Sequence, residues 1–194
     1  MASLELIKKL REQTGAGMSD VNKALSEANG DEAKALEILR KNGSKIMAKK
    51  ADRETKEGLV ESYVHLNGKL GVLVMIACET DFVARTDLFK EFAHEVALQI
   101  AAANPLYMVP SEVPEELINK EKEIYRAQMA DSGKPADILE KIIEGKIEKY
   151  YSEVCLMNQL YIKDDSLTIA KLLENAIAKI GENIRIVKFT RLSL

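Results

Sequence analysis

Tryptophan is absent, and aromatic residues make up only 5% of the 194 residues. A platform that stacks unpaired bases needs exposed rings, so single-strand nucleic-acid binding is disfavoured. A basic surplus is also missing: 28 Lys and Arg stand against 31 Asp and Glu, a formal net charge of -3. Duplex binders carry a marked positive excess, so no specific nucleic acid is expected as a partner. Cysteine is scarce. Cys78 and Cys155 both lie in apolar surroundings with no Cys or His at metal-ligand spacing. The pair reads as reduced, buried thiols of a cytosolic protein, although the sequence leaves a bridge open. Long hydrophobic runs are lacking too. The longest, near Leu70 to Cys78, is too short to cross a bilayer and reads as a strand. The N-terminus shows no basic region followed by an apolar run and a small-residue cleavage site, so a soluble, cytoplasmic protein with no membrane partner is expected.

What is present is ordinary globular composition, 46% hydrophobic and 30% charged. The first third reads as three short helices. Leu4, Ile7 and Leu10 share one face, joined by Leu6. Thr14-Gly15-Ala16-Gly17 allows a tight reversal. Ser19 or a neighbour is expected to cap a second helix that buries Val21, Leu25 and Ala28 and stops at Asn29-Gly30. Asp31 is the expected cap of a third, with Leu36 and Leu39 inward and Asn42-Gly43 as its end. Residues 1–43 therefore form an N-terminal domain. The basic stretch of Lys45, Lys49, Lys50, Arg53 and Lys56 follows over 44–57, expected as helix at first and then a linker, and read as a solvated face or hinge in preference to a contact with an acidic partner or RNA, because Asp52, Glu54 and Glu57 interleave.

Residues 58–194 form the core domain. Gly58 to Leu66 and Lys69 to Cys78 are strand-like runs around Asn67-Gly68, the pair that favours a two-residue turn with both residues at positive φ. The second run is apolar almost throughout and should be central in its sheet. A long helix is expected from Asp87 to Asn104, burying Phe89, Phe92, Ala93, Val96, Ala97 and Ile100. Two charge-rich helices follow, Glu115 to about Ala130 and about Pro135 to Tyr151, an antiparallel pair with Ile124, Ile138, Leu139, Ile142, Ile143 and Ile147 buried. A helix from Ser166 to Ile180 and a strand from Ile184 to Leu192 close the chain. The class is α+β: a small antiparallel sheet packed with helices, plus a helical hairpin.

No constellation for covalent chemistry stands out. His65 and His94 are the only histidines. A Cys78 nucleophile with His94 as base is disfavoured, because Glu79 beside Cys78 opposes a thiolate. No phosphate-cradling glycine loop occurs. The unusual segment is Glu79-Thr80-Asp81-Phe82-Val83-Ala84-Arg85-Thr86-Asp87, where an apolar pair sits amid charges. Two readings stand: Phe82 as a hydrophobic staple on the following helix, or Phe82 as an exposed anchor for a partner.

Two stretches resemble the elongation factor Ts family. The first is Thr14-Gly15-Ala16-Gly17-Met18 with Lys23-Ala24-Leu25 and Ala28-Asn29-Gly30-Asp31; the second is Thr80-Asp81-Phe82-Val83-Ala84-Arg85. Ala102-Ala103-Asn104-Pro105, Ser132-Gly133-Lys134-Pro135 and Glu144-Gly145-Lys146 agree as well. The resemblance implies a guanine-nucleotide exchange factor for elongation factor Tu in translation elongation, without covalent chemistry or cofactor. It implies a ubiquitin-associated-like N-terminal domain that grips the GTPase; Gly15, Gly17, Met18 and Val21 are taken as its contacts from their place at the turn. It implies that Thr80, Asp81, Phe82 and Val83 disturb the Mg²⁺ and phosphate site so that GDP leaves. Gln159-Leu160-Tyr161 departs from the family's Gln-Pro-Phe. The sheet-and-helix unit occurs once where long members duplicate it, which implies a homodimer. Three rivals remain: a plain binding module built on residues 1–43, a cysteine hydrolase, and an RNA-binding accessory factor using Lys45 to Lys56.

Overall fold

The structure, a computed structural model, describes residues 4–14, 16–129 and 135–194. Helix α1 (Leu4–Thr14) buries Ile7 and Leu10 but leaves Leu4 exposed, so its inward stripe starts at Ile7. Helix α2 (Met18–Glu27) is not capped by Ser19 or a residue beside it. Gly17 stands before it in extended conformation, and its carbonyl accepts the N–H groups of Asp20 and Val21, both at 3.0 Å. The start is thus set by backbone geometry, with Ser19 already inside the first turn. Asn29 (φ 51°) and Gly30 (φ 84°) close the helix, and the Gly30 N–H donates to the Leu25 carbonyl at 2.8 Å. Asp31 caps helix α3 (Glu32–Lys50) through the Lys34 N–H, as its place before the apolar stripe requires. The three helices enclose a core of Ile7, Leu10, Val21, Ala24, Leu25, Ala28, Ala35 and Leu39.

Helix α3 does not stop at Asn42-Gly43. It runs through Gly43 to Lys50. A mid-helix glycine costs only about 1 kcal/mol, and Ile46-Met47-Ala48-Lys49-Lys50 beyond it sustain the helix. The basic stretch is therefore helix first and link second. Lys50 donates to the Gly181 carbonyl, and Arg53 lies 3.5 Å from the Glu79 carboxylate.

Strands β1 (Glu57–Val64), β2 (Leu70–Cys78) and β5 (Ile184–Ser193) form an antiparallel sheet in the order β1-β2-β5, with the apolar run in the centre. The hairpin turn is wider than expected. Gly68 has φ 67° but Asn67 is not left-handed. The Gly68 N–H donates to the His65 carbonyl at 2.8 Å, the His65 N–H to Leu70 at 2.9 Å, and Asn67 Oδ1 accepts the Lys69 N–H at 3.0 Å. The asparagine side chain thus holds the turn from outside instead of adopting positive φ. Gly58 cannot be anything else: its φ is +148°, and a Cβ there would fall 2.1 Å from the Ile76 carbonyl oxygen. A bulge between Met75 and Ile76 admits Val187 as an extra residue in β5.

One sheet face buries Val72, Val74, Ile76, Cys78 and Ile184. Helix α5 (Asp87–Ala103) lies on that side: His94 Nδ1 is 3.0 Å from Glu61 Oε1, and the His94 ring meets Tyr63 edge-on. The opposite face leaves Val60, Leu73, Met75 and Leu192 exposed. A continuous apolar strand is thus covered on one side only.

By compactness the chain divides into Met1–Leu98 with Lys171–Leu194, and Gln99–Ala170. In the second unit, helices α6 (Glu115–Met129) and α7 (Ala136–Val154) run antiparallel. Arg126 forks onto Glu140 at 3.1 and 3.2 Å, and Lys146 stands 4.9 Å over the Tyr125 ring. Val113, Ile118, Ile143, Ile147 and Cys155 are the buried cluster. Ile124 and Ile138, expected inside, are exposed, because two helices bury only the seam between them and not a full apolar stripe. Ser166 to Thr168 are strand, not helix. They belong to β4 (Asp164–Thr168), which pairs with β3 (Leu160–Tyr161), and helix α8 (Ile169–Ile180) starts after them. Asp164 Oδ1 takes both the Ser166 N–H and hydroxyl, which favours a turn over a helix start. Nearby, Gln99 Nε2 donates to Gln159 Oε1 and to the Leu160 carbonyl, each at 3.1 Å, and Gln99 Oε1 accepts the Ile162 N–H at 2.9 Å. No helix among the described residues is long and apolar enough to cross a membrane.

Candidate partner-docking turn

The segment between β2 and α5 is not a loop. Asp81–Ala84 forms one turn of helix, α4, and Thr80 caps it by accepting the Val83 N–H at 3.4 Å. Thr80 through Val83 therefore stand together on one short element. The Thr80 backbone is held from several directions. Its N–H donates to Glu182 Oε2 at 3.0 Å, its hydroxyl to Glu182 Oε1 at 2.7 Å, and its carbonyl accepts from Cys78 Sγ at 3.2 Å. Thr86 closes the far end: its hydroxyl donates to the Val83 carbonyl at 2.8 Å and accepts the Phe89 N–H at 3.3 Å, which starts α5.

On this turn Phe82 is 78% exposed. So exposed, it does not serve as a staple on the following helix, whereas Phe89 inside that helix is fully buried. Asp81 pairs with Arg85 one helical turn on, at 2.9 Å. An exposed ring normally retreats from water; here the backbone on both sides is tied to polar anchors, so the ring stays out. A ring held in this way is open to an apolar pocket of another molecule.

Cys78 and His94 do not form a nucleophile and base. The Cys78 thiol is buried and donates to Thr80, while His94 pairs with Glu61. Burial, reinforced by the Glu182 charge, pushes the Cys78 thiol up to about 11, so it remains a thiol at neutral pH. Among the described residues no three His, Cys, Asp or Glu side chains gather as metal ligands.

The second group of predicted site residues lies at the start of α2. Gly15 falls outside the described residues. Gly17 is exposed and precedes the helix, and Met18, the first helical residue, is exposed. Val21 is fully buried in the three-helix core. Its side chain packs in that core instead of facing solvent. Glu182 and Asn183 were missed from the sequence. They lie about a hundred positions from Thr80, and no local pattern signals that they return to it.

The fold and this turn define an α+β protein that presents an aromatic side chain from a braced seat. The family model for Elongation factor TS matches residues 4–194. Elongation factor Ts of Fervidobacterium nodosum is 57% identical over 192 residues, 99% of this chain and 98% of the relative. That of Thermotoga petrophila is 59% identical over 189 residues, 97% and 94% of the two chains. That of Carboxydothermus hydrogenoformans is 55% identical over 194 residues, 100% and 89%. The chain belongs to the elongation factor Ts family.

Proposed function

We propose that this protein is a guanine-nucleotide exchange factor for elongation factor Tu in translation elongation, acting in the cytoplasm by disturbing the Mg²⁺ and phosphate site of the GTPase. The observation that carries the reading is the exposure of Phe82 on a turn whose backbone is anchored on both sides. Phe82 enters between partner side chains, and Asp81, with Thr80 and Val83 beside it, holds the displaced geometry. The physics is linkage. A factor that binds the nucleotide-free GTPase more tightly than the GDP form weakens GDP binding by the same ratio.

The three N-terminal helices act as a ubiquitin-associated-like grip on the GTPase. Exposed Met18 touches the partner, Gly15 and Gly17 shape the turn before it, and Val21 supports it from within. In this division residues 1–43 are the grip, 44–57 the link and 58–194 the exchange and dimerisation core, although α3 runs unbroken across the first boundary. A second copy of the chain covers the open sheet face. The exposed apolar side chains of Val60, Leu73, Met75 and Leu192 on that face support this occupant. Light scattering should then give twice the 21.6 kDa chain mass, and Leu73→Lys with Met75→Lys should halve it; a wild-type mass of one chain would remove the dimer.

The deciding experiment is release of a fluorescent GDP analogue from elongation factor Tu, with and without this protein. Acceleration by the wild type that is lost in Phe82→Ala supports both exchange and the wedge. Acceleration that survives the substitution places the mechanism at the N-terminal grip. No acceleration by a folded protein would rule out exchange.

A further inference from the structure

We propose that Glu182 is the positioning residue of Phe82, acting on nucleotide release through the Thr80 turn and not through contact with the partner; this rests on the exchange reading above. Helix α4 is four residues long, far below the length at which a helix is stable by itself. Its order must come from outside. The outside groups are Cys78, Thr86 and, from the far end of the chain, Glu182. Its carboxylate receives three hydrogen bonds, from the N–H groups of Glu79 (3.1 Å) and Thr80 (3.0 Å) and from the Thr80 hydroxyl (2.7 Å). Bonds to an ionised acceptor are the strong kind. Because the Thr80 hydroxyl donates to Glu182, its lone pairs are free to accept the Val83 N–H, the bond that caps α4. Carboxylate, hydroxyl and helix cap form one polarised chain.

The clamp is reciprocal. Glu79 Oε1 accepts the Asn183 N–H at 2.6 Å, so each of two carboxylates holds the backbone beside the other. Asn183 Nδ2 in turn donates to the carbonyls of Arg53 (2.7 Å) and Ala51 (3.4 Å), where the chain leaves α3. The turn at residues 182–183 thus braces the Phe82 seat and the exit of the N-terminal helices together. A ring on a loose turn still reaches a pocket, but part of its interaction goes into ordering the turn. Loss of Glu182 therefore lowers what Phe82 accomplishes once bound.

The test is stimulated GDP release from elongation factor Tu at rising factor concentration, for wild type, Glu182→Ala, Phe82→Ala and the double variant, with amide hydrogen exchange at Glu79 and Thr80. The expected result is a maximal rate about tenfold lower in Glu182→Ala, the order for loss of a charged hydrogen-bond anchor. The concentration for half effect should change less, and the two amides should exchange faster. The double variant should be no slower than Phe82→Ala alone, since a residue acting through Phe82 has nothing left to act on. Glu182→Gln, which keeps one acceptor oxygen, should recover part of the rate. A wild-type maximal rate in Glu182→Ala overturns the proposal, as does the same fold-loss with and without Phe82. Should Glu182→Ala not fold, Thr80→Val is judged by the same criteria. If the wild type itself gives no stimulation, the exchange reading fails first, and unchanged amide protection in Glu182→Ala would show that the brace is absent as well.

Discussion

Gly43, in the middle of α3, lies against the carboxylate of Glu174: a methyl group at position 43 would stand 2.8 Å from Glu174 Oε1. Glu174 is almost buried and paired with Lys171 at 2.7 Å. Alanine normally gains about 1 kcal/mol over glycine inside a helix, but here its methyl must push aside the shielded Glu174 carboxylate, which opposes that gain. Gly43→Ala should therefore fail to show the usual gain of about 1 kcal/mol in thermal unfolding. Gly145, in α7 with no atom within 4 Å of a built Cβ, is the contrast. Gly145→Ala should raise stability by about 0.5–1 kcal/mol.

Exposed Phe82 should contribute little to the stability of the fold. Replacing a buried phenylalanine by alanine costs about 3–5 kcal/mol, whereas an exposed side chain changes stability by about 0.5 kcal/mol or less. With 78% of its surface open, Phe82→Ala should leave the denaturant midpoint in place. A midpoint shift of core size would restore the staple.

Burial raises the thiols of both Cys78 and Cys155. A thiol raised in the folded state favours folding fully below its unfolded value, about 8.5. That contribution is lost as pH climbs toward the folded value, about 11 for Cys78. Stability should therefore decline from about pH 8.5 upward, and Cys78→Ala with Cys155→Ala should flatten the decline. The native Cys78 thiol should also react with a disulfide reagent at pH 8 roughly a hundredfold slower than after unfolding, and Cys155 should be slowed in the same direction.

Gln99 serves three polar groups in a buried place. Leucine at that position would leave the Ile162 N–H and the Gln159 amide oxygen without this partner. Gln99→Leu should cost about 2–4 kcal/mol in urea unfolding, the scale of unsatisfied buried polar groups. A cost below about 1 kcal/mol would mean that water replaces it.

Much of the fold was legible because it is written locally. Asn29-Gly30-Asp31 stops one helix and caps the next by the dihedral and hydrogen-bonding habits of those residues. The run from Leu70 to Cys78 reads as a central strand because β-prone apolar residues fill it, and it is central. The motif Thr80 to Val83 was visible as apolar residues among charges, but not as a helical turn, because four residues are too few to show a period. Where one local rule met a competing one the expectation failed: Asn42-Gly43 has the chemistry of a helix stop, but α3 continues through it to Lys50, and Asn67 has the chemistry of a left-handed turn residue, but its side chain takes the Lys69 N–H instead.

By itself the sequence determined the order and type of most elements, the family, and the residues that carry the exposed turn, since these depend on periodicity, turn chemistry and short motifs along the chain. The tertiary structure alone decided what the periodicity does not specify: it turned Phe82 outward, left Leu73 and Met75 open on a strand whose other face is core, and brought Glu182 to Thr80. A contact between residues far apart in sequence depends on the path of everything between them, and no window of neighbouring residues contains that path.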